Sequence, residues 1–287
     1  MTCQVCKKTL SGKYYIDCYG QKVCASHIDS GQMTHCSTCS AFTNKSSTIR
    51  DGRVLCNNCM FSAVKMGDDI SAVFENVIKE IQKIGFKDLH IDSISIKVVD
   101  AIYLANIRGC VVDTRNKGLT QSKVSTSFSL LGGSQKSMEH IIYMLDYQPQ
   151  LEFAGTLAHE LLHAWQVQNS ITPEPKYCEG FCNMATYHIL NSSNDKLSEV
   201  LIKNMMQNPD PIYGDGFREV FSVWQQIGWT ELLKQYKNNN YSIFINSNSK
   251  KIMVSGMFSS LKEDTTPSQL NNDNSNYKDM FKSLKRP

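Results

Sequence analysis

Four short cysteine-rich pairs at the start of the chain constrain its fold more than any other feature. In each pair the two metal-binding side chains are three positions apart, so a single tight turn can bring both to one ion. Taken in chain order, the first two pairs can close one tetrahedral site and the last two pairs can close a second. The predicted ligands are Cys3, Cys6, Cys24 and His27 for the first site, and Cys36, Cys39, Cys56 and Cys59 for the second. His35 is an alternative ligand whose spacing fits less well.

Both predicted sites are closed by four protein ligands, which is typical of structural zinc. The segment that carries them has few large apolar residues, so metal binding would supply much of its folding free energy. The first thirty residues contain no apolar signal segment, and we therefore interpret the eleven cysteines as metal ligands and reduced thiols of a cytoplasmic protein. Those interpreted as ordinary thiols are Cys18, Cys110, Cys178 and Cys182.

A second pattern lies in the apolar segment LEFAGTLAHELLHAWQVQN. Its apolar residues recur at helical spacing, and a helix would place His159 and His163 on one face with Glu160 beside them. Buried polar groups without partners are costly, and a zinc ion would supply one here. This HExxH spacing is found in zinc hydrolases. Gln166 and Asn169 exclude the longer form of the motif, which requires glycine and histidine at those positions.

The third ligand of this site should come from the following helix. Glu179 lies sixteen residues after His163, in the segment EPKYCEGFCNMATYHIL. It would complete a set of two histidines and one glutamate, with a fourth position open to water. Glu174 is the alternative, although it lies between two prolines at the expected start of the helix.

The same site predicts how a peptide bond would be hydrolysed. Glu160 would act as the general base that takes a proton from water. A further donor should stabilise the oxyanion of the transition state. Tyr213, in the segment PIYGDGF, is the first candidate for that donor, and His188 and Tyr177 are alternatives.

The periodicity of the remaining chain predicts an α+β protein in three parts. Residues 1–66 form the zinc module, residues 67–260 form a metallopeptidase domain, and residues 261–287 form a polar tail. We expect the tail to be mostly disordered, with docking through its few apolar residues as the alternative. Helices are predicted at 68–84, 194–207 and 216–236 besides the two that carry the site, and strands at 94–99, 123–130 and 138–147.

Charge and hydropathy exclude two classes of partner. The formal net charge is +3, so no strong attraction to nucleic acid or to an anionic membrane is expected. No apolar run reaches the length that spans a bilayer. A zinc ribbon that binds nucleic acid is a weaker alternative hypothesis for the zinc module, since its lysines are sparse.

The chain also resembles a known family, the ubiquitin-activated LIM-domain peptidases of plant growth control, called the DA-one family. The pieces that carry the resemblance are VCASHIDSGQMTHCSTCS, DGRVLCNNCMFSAV, AHELLHAW, CEGFCN and YGDGFRE. Two features differ from the family pattern. Eight residues separate His27 from Cys36 where a LIM domain usually has two, and Cys178 stands where the family has a glutamate.

The resemblance implies a LIM-like module with two zinc sites joined to a gluzincin-type metallopeptidase. It implies that His159, His163 and Glu179 hold a catalytic zinc and that Glu160 is the catalytic base. Three zinc ions per chain, protein substrates, and ubiquitin or ubiquitylated proteins as partners follow as expectations. It also suggests that the strand ahead of the active-site helix, at 138–147, pairs with an extended substrate. The alternative is a zinc-dependent protein-interaction module with an inactive peptidase-like domain.

Overall fold

The computed structural model describes residues 1–128 and 134–247, so the polar tail predicted at 261–287 lies outside the described residues. These ranges form a mixed α+β structure with small sheets and several helices. Within them, no helix combines the length and the apolar character that crossing a bilayer would require.

The first sixty residues contain short elements that are arranged around the cysteine pairs. Two antiparallel hairpins alternate with two single-turn helices, in the order β1 (Tyr14–Ile16), β2 (Lys22–Cys24), α1 (Ala25–Asp29), β3 (Met33–His35), β4 (Phe42–Asn44) and α2 (Asn57–Phe61). Each helix begins directly after a predicted ligand, because Cys24 precedes α1 and Cys56 precedes α2. The backbone therefore turns sharply at each cysteine-rich pair.

A three-stranded sheet forms the next layer. Its strands are β6 (Ile94–Val99), β7 (Gly118–Phe128) and β8 (Ser134–Leu145), and the helix α4 (Ala101–Arg108) lies between the first two. The strand order is β6, β8, β7, with β6 parallel and β7 antiparallel to β8. The suggestion that the strand at 138–147 receives a substrate is therefore wrong, because β8 is the middle strand and its backbone is paired on both sides. The two edge strands are β6 and β7.

The helical layer packs against one face of this sheet. Its helices are α3 (Ser71–Lys83), α5 (Gln150–Gln168), α6 (Pro175–Asn191), α7 (Lys196–Gln207), α8 (Tyr213–Ile227), α9 (Trp229–Lys237) and α10 (Ser242–Ser247). The helix α5 is apolar on nearly all sides and most of its residues are buried. It lies at the centre of the core with Phe86, Trp165 and Phe181, whose rings form edge and stacked contacts.

Two glycines allow α6 and α8 to cross closely. A β-carbon added at Gly180 would lie 2.4 Å from the carbonyl oxygen of Gly216, and one added at Gly216 would lie 2.2 Å from that of Lys176. No real side chain tolerates such contacts, so both positions require glycine. This crossing explains why the segments CEGFCN and YGDGFRE both contain glycine, and it fixes α6 beside α8.

The cysteine-rich segment is joined to the rest of the chain by backbone pairing. After α2, the strand β5 (Ala63–Val64) pairs antiparallel with β9 (Gln148–Pro149), which directly precedes α5. Nearby, Arg53 is buried and donates to the carbonyl oxygen of Asp146 at 2.8 Å. The predicted boundary at residue 66 therefore falls just after a strand that belongs to the support of α5.

Most predicted elements are present with shifted ends. The helix predicted at 68–84 is α3, and the strand predicted at 123–130 begins earlier, at Gly118, while residues 129 and 130 lie outside the described residues. The helix predicted at 216–236 is wrong as one element. It divides into α8 and α9 at Gly228, whose φ of 78° a right-handed helix cannot accommodate.

Candidate metal sites and the central cleft

The first cysteine-rich group converges as the spacing predicts. The ligand atoms of Cys3, Cys6, Cys24 and His27 all lie within 4.8 Å of one another. The backbone amide of Cys24 donates to the Cys3 sulfur at 3.4 Å, a contact that stabilises a thiolate. The Nε2 atom of His27 is buried and has no hydrogen-bond partner among the described residues. An imidazole nitrogen placed in this way beside three sulfurs fits a metal ligand.

The second group is assembled in the same way and is more deeply buried. Cys36, Cys39, Cys56 and Cys59 have their sulfurs within 4.8 Å of one another, and the amide of Cys56 donates to the Cys36 sulfur at 3.4 Å. Hydrogen bonds from the other three thiols hold the pKa of Cys36 far below its ordinary value. These two clusters could hold metal ions, and their four-sulfur and three-sulfur sets are consistent with zinc.

The alternative ligand His35 is not part of either cluster. Its Nδ1 atom lies 3.0 Å from the carbonyl oxygen of Ser40, and its ring packs on Phe42. Cys18 also stays outside, and its thiol donates to the carbonyl oxygen of Cys39 at 3.0 Å.

The third group lies between α5 and α6. The Nε2 atoms of His159 and His163 are 3.1 Å apart, and Glu179 Oε2 lies 3.1 Å from the first and 3.5 Å from the second. Ligands about 2.0 Å from a tetrahedral zinc ion are separated by roughly 3.3 Å. The three atoms therefore have the spacing of one face of a metal tetrahedron. Glu174 precedes α6 and is exposed, so it does not reach this group.

Hydrogen bonds set the tautomers of both imidazoles. Asn183 Oδ1 lies 3.0 Å from His159 Nδ1, while the amide nitrogen of Asn183 donates to the carbonyl oxygen of Tyr213 at 3.2 Å. Because Oδ1 can only accept, His159 Nδ1 carries the proton and Nε2 presents its lone pair. Gln166 Oε1 lies 3.3 Å from His163 Nδ1 and acts on that ring in the same way. Such outer contacts orient metal-binding histidines in proteins.

The electrostatics of this group also favour a cation. Burial tends to raise the pKa of Glu179, but hydrogen bonds to His159 and His163 outweigh it and hold that pKa well below its usual range. Burial opposes charge on His163, yet hydrogen bonds to Cys178 and Glu179 raise its pKa well above the ordinary value. A cation among these side chains would satisfy the converging lone pairs and the carboxylate together.

Glu160 is held apart from the three ligand atoms by the edge strand. Thr120 donates from its hydroxyl to Glu160 Oε2 at 2.7 Å, and the same hydroxyl lies 2.9 Å from the Glu160 carbonyl oxygen. A β-carbon at Gly118 would lie 2.5 Å from Glu160 Oε1. Glu160 is buried. The strand β7 holds its carboxylate beside the three ligand atoms of the third group, and the carboxylate is not one of those ligands.

Tyr213 lies at the first turn of α8 and faces the same space. Burial and the charge of Glu179 raise its pKa, so the phenol stays protonated and can donate. Arg108 acts in the opposite direction, since its charge lowers the pKa of Tyr213, and it donates to the Gly118 carbonyl oxygen at 3.2 Å. The two alternatives lie elsewhere. His188 faces Glu80 at 3.8 Å, and Tyr177 stacks on Phe244.

A cleft of about 1230 Å³ connects these groups. It is lined by His159, Glu160, His163 and Glu179 and also by Tyr213 and Arg108. Ser37 and Thr38, which lie between two ligands of the second cysteine cluster, line it too. Arg108, Thr120 and Asn183 were not predicted as site residues. Only Asn183 had a signal, because it follows Glu179 by one helical turn on the same face.

No family model, no curated protein and no solved structure matches this chain.

Proposed function

We propose that the protein is a zinc-dependent endopeptidase that hydrolyses peptide bonds in protein substrates. The observation that carries the proposal is the convergence of His159, His163 and Glu179 at metal-ligand spacing in an open cleft, with Glu160 fixed beside them. The two cysteine clusters differ from this group because each has four ligands and no open position. The resemblance to the DA-one family supports the same activity and implies ubiquitin or ubiquitylated proteins as partners.

The side chains have separate tasks in this proposal. A zinc ion held by His159, His163 and Glu179 would polarise the scissile carbonyl and acidify a water molecule. Glu160 accepts the proton of the attacking water and then delivers it to the leaving nitrogen. Thr120 keeps the Glu160 carboxylate pointing into the cleft through its 2.7 Å hydrogen bond.

Two hydrogen-bond donors that line the cleft would stabilise the negative charge that develops on the oxyanion. The protonated phenol of Tyr213 and the guanidinium of Arg108 both line the cleft. Preorganised donors of this kind are worth about 3 kcal/mol to the transition state of acyl transfer. Arg108 also donates to the Gly118 carbonyl oxygen at 3.2 Å, so its position is tied to the strand β7.

The substrate would lie along β7. This strand is at the edge of the sheet, and its residues Leu119, Thr120 and Ser122 line the cleft beside Glu160. An extended peptide can add to such an edge through backbone hydrogen bonds, while side-chain pockets give specificity. This interaction binds any unfolded segment and suits an enzyme that acts on proteins.

The roles of the two glutamates can be separated experimentally. Glu160→Gln keeps size and shape but removes the base, so we expect metal content to stay normal while hydrolysis of an unfolded protein falls by at least about 100-fold. Glu179→Gln should lose metal affinity, because a neutral amide is a poorer zinc ligand, and excess zinc should partly restore its activity. Glu174→Gln, exposed at the start of the same helix, is the matched control and should behave as wild type.

Metal content provides the second arm of the test. Wild-type protein should hold three zinc ions per chain, and His163→Ala should hold two. Two ions in both proteins would remove the catalytic site from the proposal. If Glu160→Gln hydrolysed the substrate at the wild-type rate, the proposed chemistry would be wrong even with the third ion present.

A further inference from the structure

A second set of ligand atoms surrounds the opposite edge of the His163 ring. Its Nδ1 atom lies 3.8 Å from the Cys178 sulfur and 3.5 Å from the Cys182 sulfur. Gln166 Oε1 lies 3.3 Å from that nitrogen and 3.3 Å from the Cys178 sulfur. His163 therefore has its Nε2 atom in one ligand group and its Nδ1 atom in another, and the second group contains two sulfurs.

These separations are those of a tetrahedral metal site. With metal–sulfur bonds of about 2.3 Å and metal–nitrogen bonds of about 2.0 Å, sulfur and nitrogen ligands lie roughly 3.5 Å apart. The nitrogen and both sulfurs fall within the range that holds a metal ion. Ordinary hydrogen bonding would explain one such contact, but it does not require three different side chains to meet around one nitrogen.

The fourth atom is fixed by the protein core. The amide nitrogen of Gln166 donates to the hydroxyl of Tyr236 at 2.8 Å, and Tyr236 is fully buried. This contact holds Gln166 Oε1 beside the Cys178 sulfur, at 3.3 Å. The arrangement of two sulfurs, one nitrogen and one carbonyl oxygen is thus formed before any ion arrives. Cys178 and Gln166 both line the cleft, which gives an ion a route from solvent.

We propose that Cys178, Cys182, Gln166 and His163 form a second binding site in the cleft, specific for a thiophilic cation such as Cd²⁺ or Cu⁺. Sulfur ligands favour soft ions, whereas the neighbouring group of two imidazoles and one carboxylate contains no sulfur. On binding, the cysteine thiols and His163 Nδ1 release their protons to solvent. The two groups thus differ in the ions they prefer while sharing one side chain.

Filling this site should inhibit the peptidase, a consequence that rests on the proposed function. His163 Nδ1 would lose its contact with Gln166, the contact that orients the ring. Glu179 lies between Cys178 and Cys182 in the sequence and on the same turn of α6, so the two sites are neighbours on one helix. The binding itself requires no hydrolytic activity.

The test adds one equivalent of Cd²⁺ to full-length protein that has been loaded with zinc. We expect bound cadmium after gel filtration, a near-ultraviolet absorption from sulfur-to-cadmium charge transfer, and no release of zinc. In Cys178→Ser/Cys182→Ser the affinity for Cd²⁺ should fall at least about tenfold and the absorption should disappear. Cys18→Ser/Cys110→Ser removes two cysteines outside the metal clusters and should keep both signals.

A second variant keeps the proposal testable if the double variant folds poorly. Gln166→Glu replaces the carbonyl ligand by a carboxylate and should bind Cd²⁺ more tightly than wild type. Equal cadmium uptake and equal spectra in wild type, the cysteine variant and Gln166→Glu would overturn the site. Cadmium that enters only as zinc leaves would overturn it too. Because Glu160→Gln should bind Cd²⁺ as wild type does, failure of the proposed peptidase would leave this result intact.

Discussion

The two cysteine clusters have nearly the same ligand pattern but different surroundings. The first cluster, Cys3 to His27, packs with Val23 in a small group that reaches Met33 and Phe42 of the next hairpin. The second, Cys36 to Cys59, surrounds the fully buried Leu55 and packs against Tyr147 and Leu197, which come from beyond residue 66. The first is therefore an appended unit, while the second is part of the structure that supports α5.

This difference shows that ligand spacing specifies a metal cluster but not its place in the fold. Placement depends on the residues between the ligands. In the second cluster Arg53 is buried, forms ion pairs with Asp51 and with Asp146 at 3.6 Å, and donates to the Asp146 backbone. Thr38 donates to Glu152 of α5 at 3.3 Å. Loss of one ligand should consequently affect the stability of the protein differently in the first and the second cluster.

The largest expected difference follows removal of one ligand from each cluster. Cys59→Ala should lose one metal ion and lower the main thermal transition by more than about 10 °C, because loss of a buried metal site costs several kcal/mol and here also removes support from α5. Cys6→Ala should also lose one ion but move that transition by less than about 3 °C. Calorimetry and metal analysis measure both effects.

Equal shifts of the main transition in the two variants would contradict the comparison. So would a Cys59→Ala protein that keeps its metal. Circular dichroism distinguishes local from global loss, since only Cys59→Ala should reduce the helical signal.

A smaller effect is expected at the ion pairs that join the second cluster to the rest of the chain. Arg53→Met leaves the buried Asp146 and the partly buried Asp51 without their cation and should destabilise the protein by about 3–5 kcal/mol in urea unfolding. Arg50→Met is the control. Arg50 is 78% exposed and pairs with Asp100 at 3.7 Å, so its loss should cost less than about 1 kcal/mol. Similar free energies for both variants would mean that the buried pair does not hold the interface.

The sequence predicted the parts of the molecule that depend on local spacing. Both cysteine clusters and the meeting of His159, His163 and Glu179 follow from ligands three, four or sixteen residues apart. The periodic helices and the strand at 94–99 were also predictable. The helix α4 was not predicted, although it begins after a capping residue, Asp100, whose side chain accepts from the Tyr103 amide.

Features that depend on distant pairing could not be predicted. Strand order decides that β7, not β8, faces the cleft, and no local pattern encodes which strand is central. Arg108 reaches the site only because α4 precedes that strand. Cys178 and Cys182 were interpreted as ordinary thiols because their relation to His163 and Gln166 requires α5 and α6 to be packed. The boundary at residue 66 was placed by composition, which does not reveal that β5 pairs with β9.

The smallest expected effect on activity concerns the part of the cleft that is lined by the second cluster. Ser37 is exposed there, between two ligands of the second cluster. Gln4 occupies the equivalent position between Cys3 and Cys6 and is also exposed, but it does not line the cleft. Ser37→Phe should therefore fill part of the substrate path, whereas Gln4→Phe should add a ring outside it.

If the proposed peptidase is correct, Ser37→Phe should lower kcat/KM for an unfolded protein by roughly tenfold, mainly by raising KM, because one side chain in a binding pocket is worth about 1–3 kcal/mol. A short peptide that spans only the central groups should be hydrolysed at the wild-type rate. Gln4→Phe should leave both rates unchanged. Both variants should retain three zinc ions, so a loss of metal would reveal damage to the cluster rather than obstruction. An equal fall for the short peptide would locate the effect at Glu160 and its neighbours, and the second cluster would then only support α5.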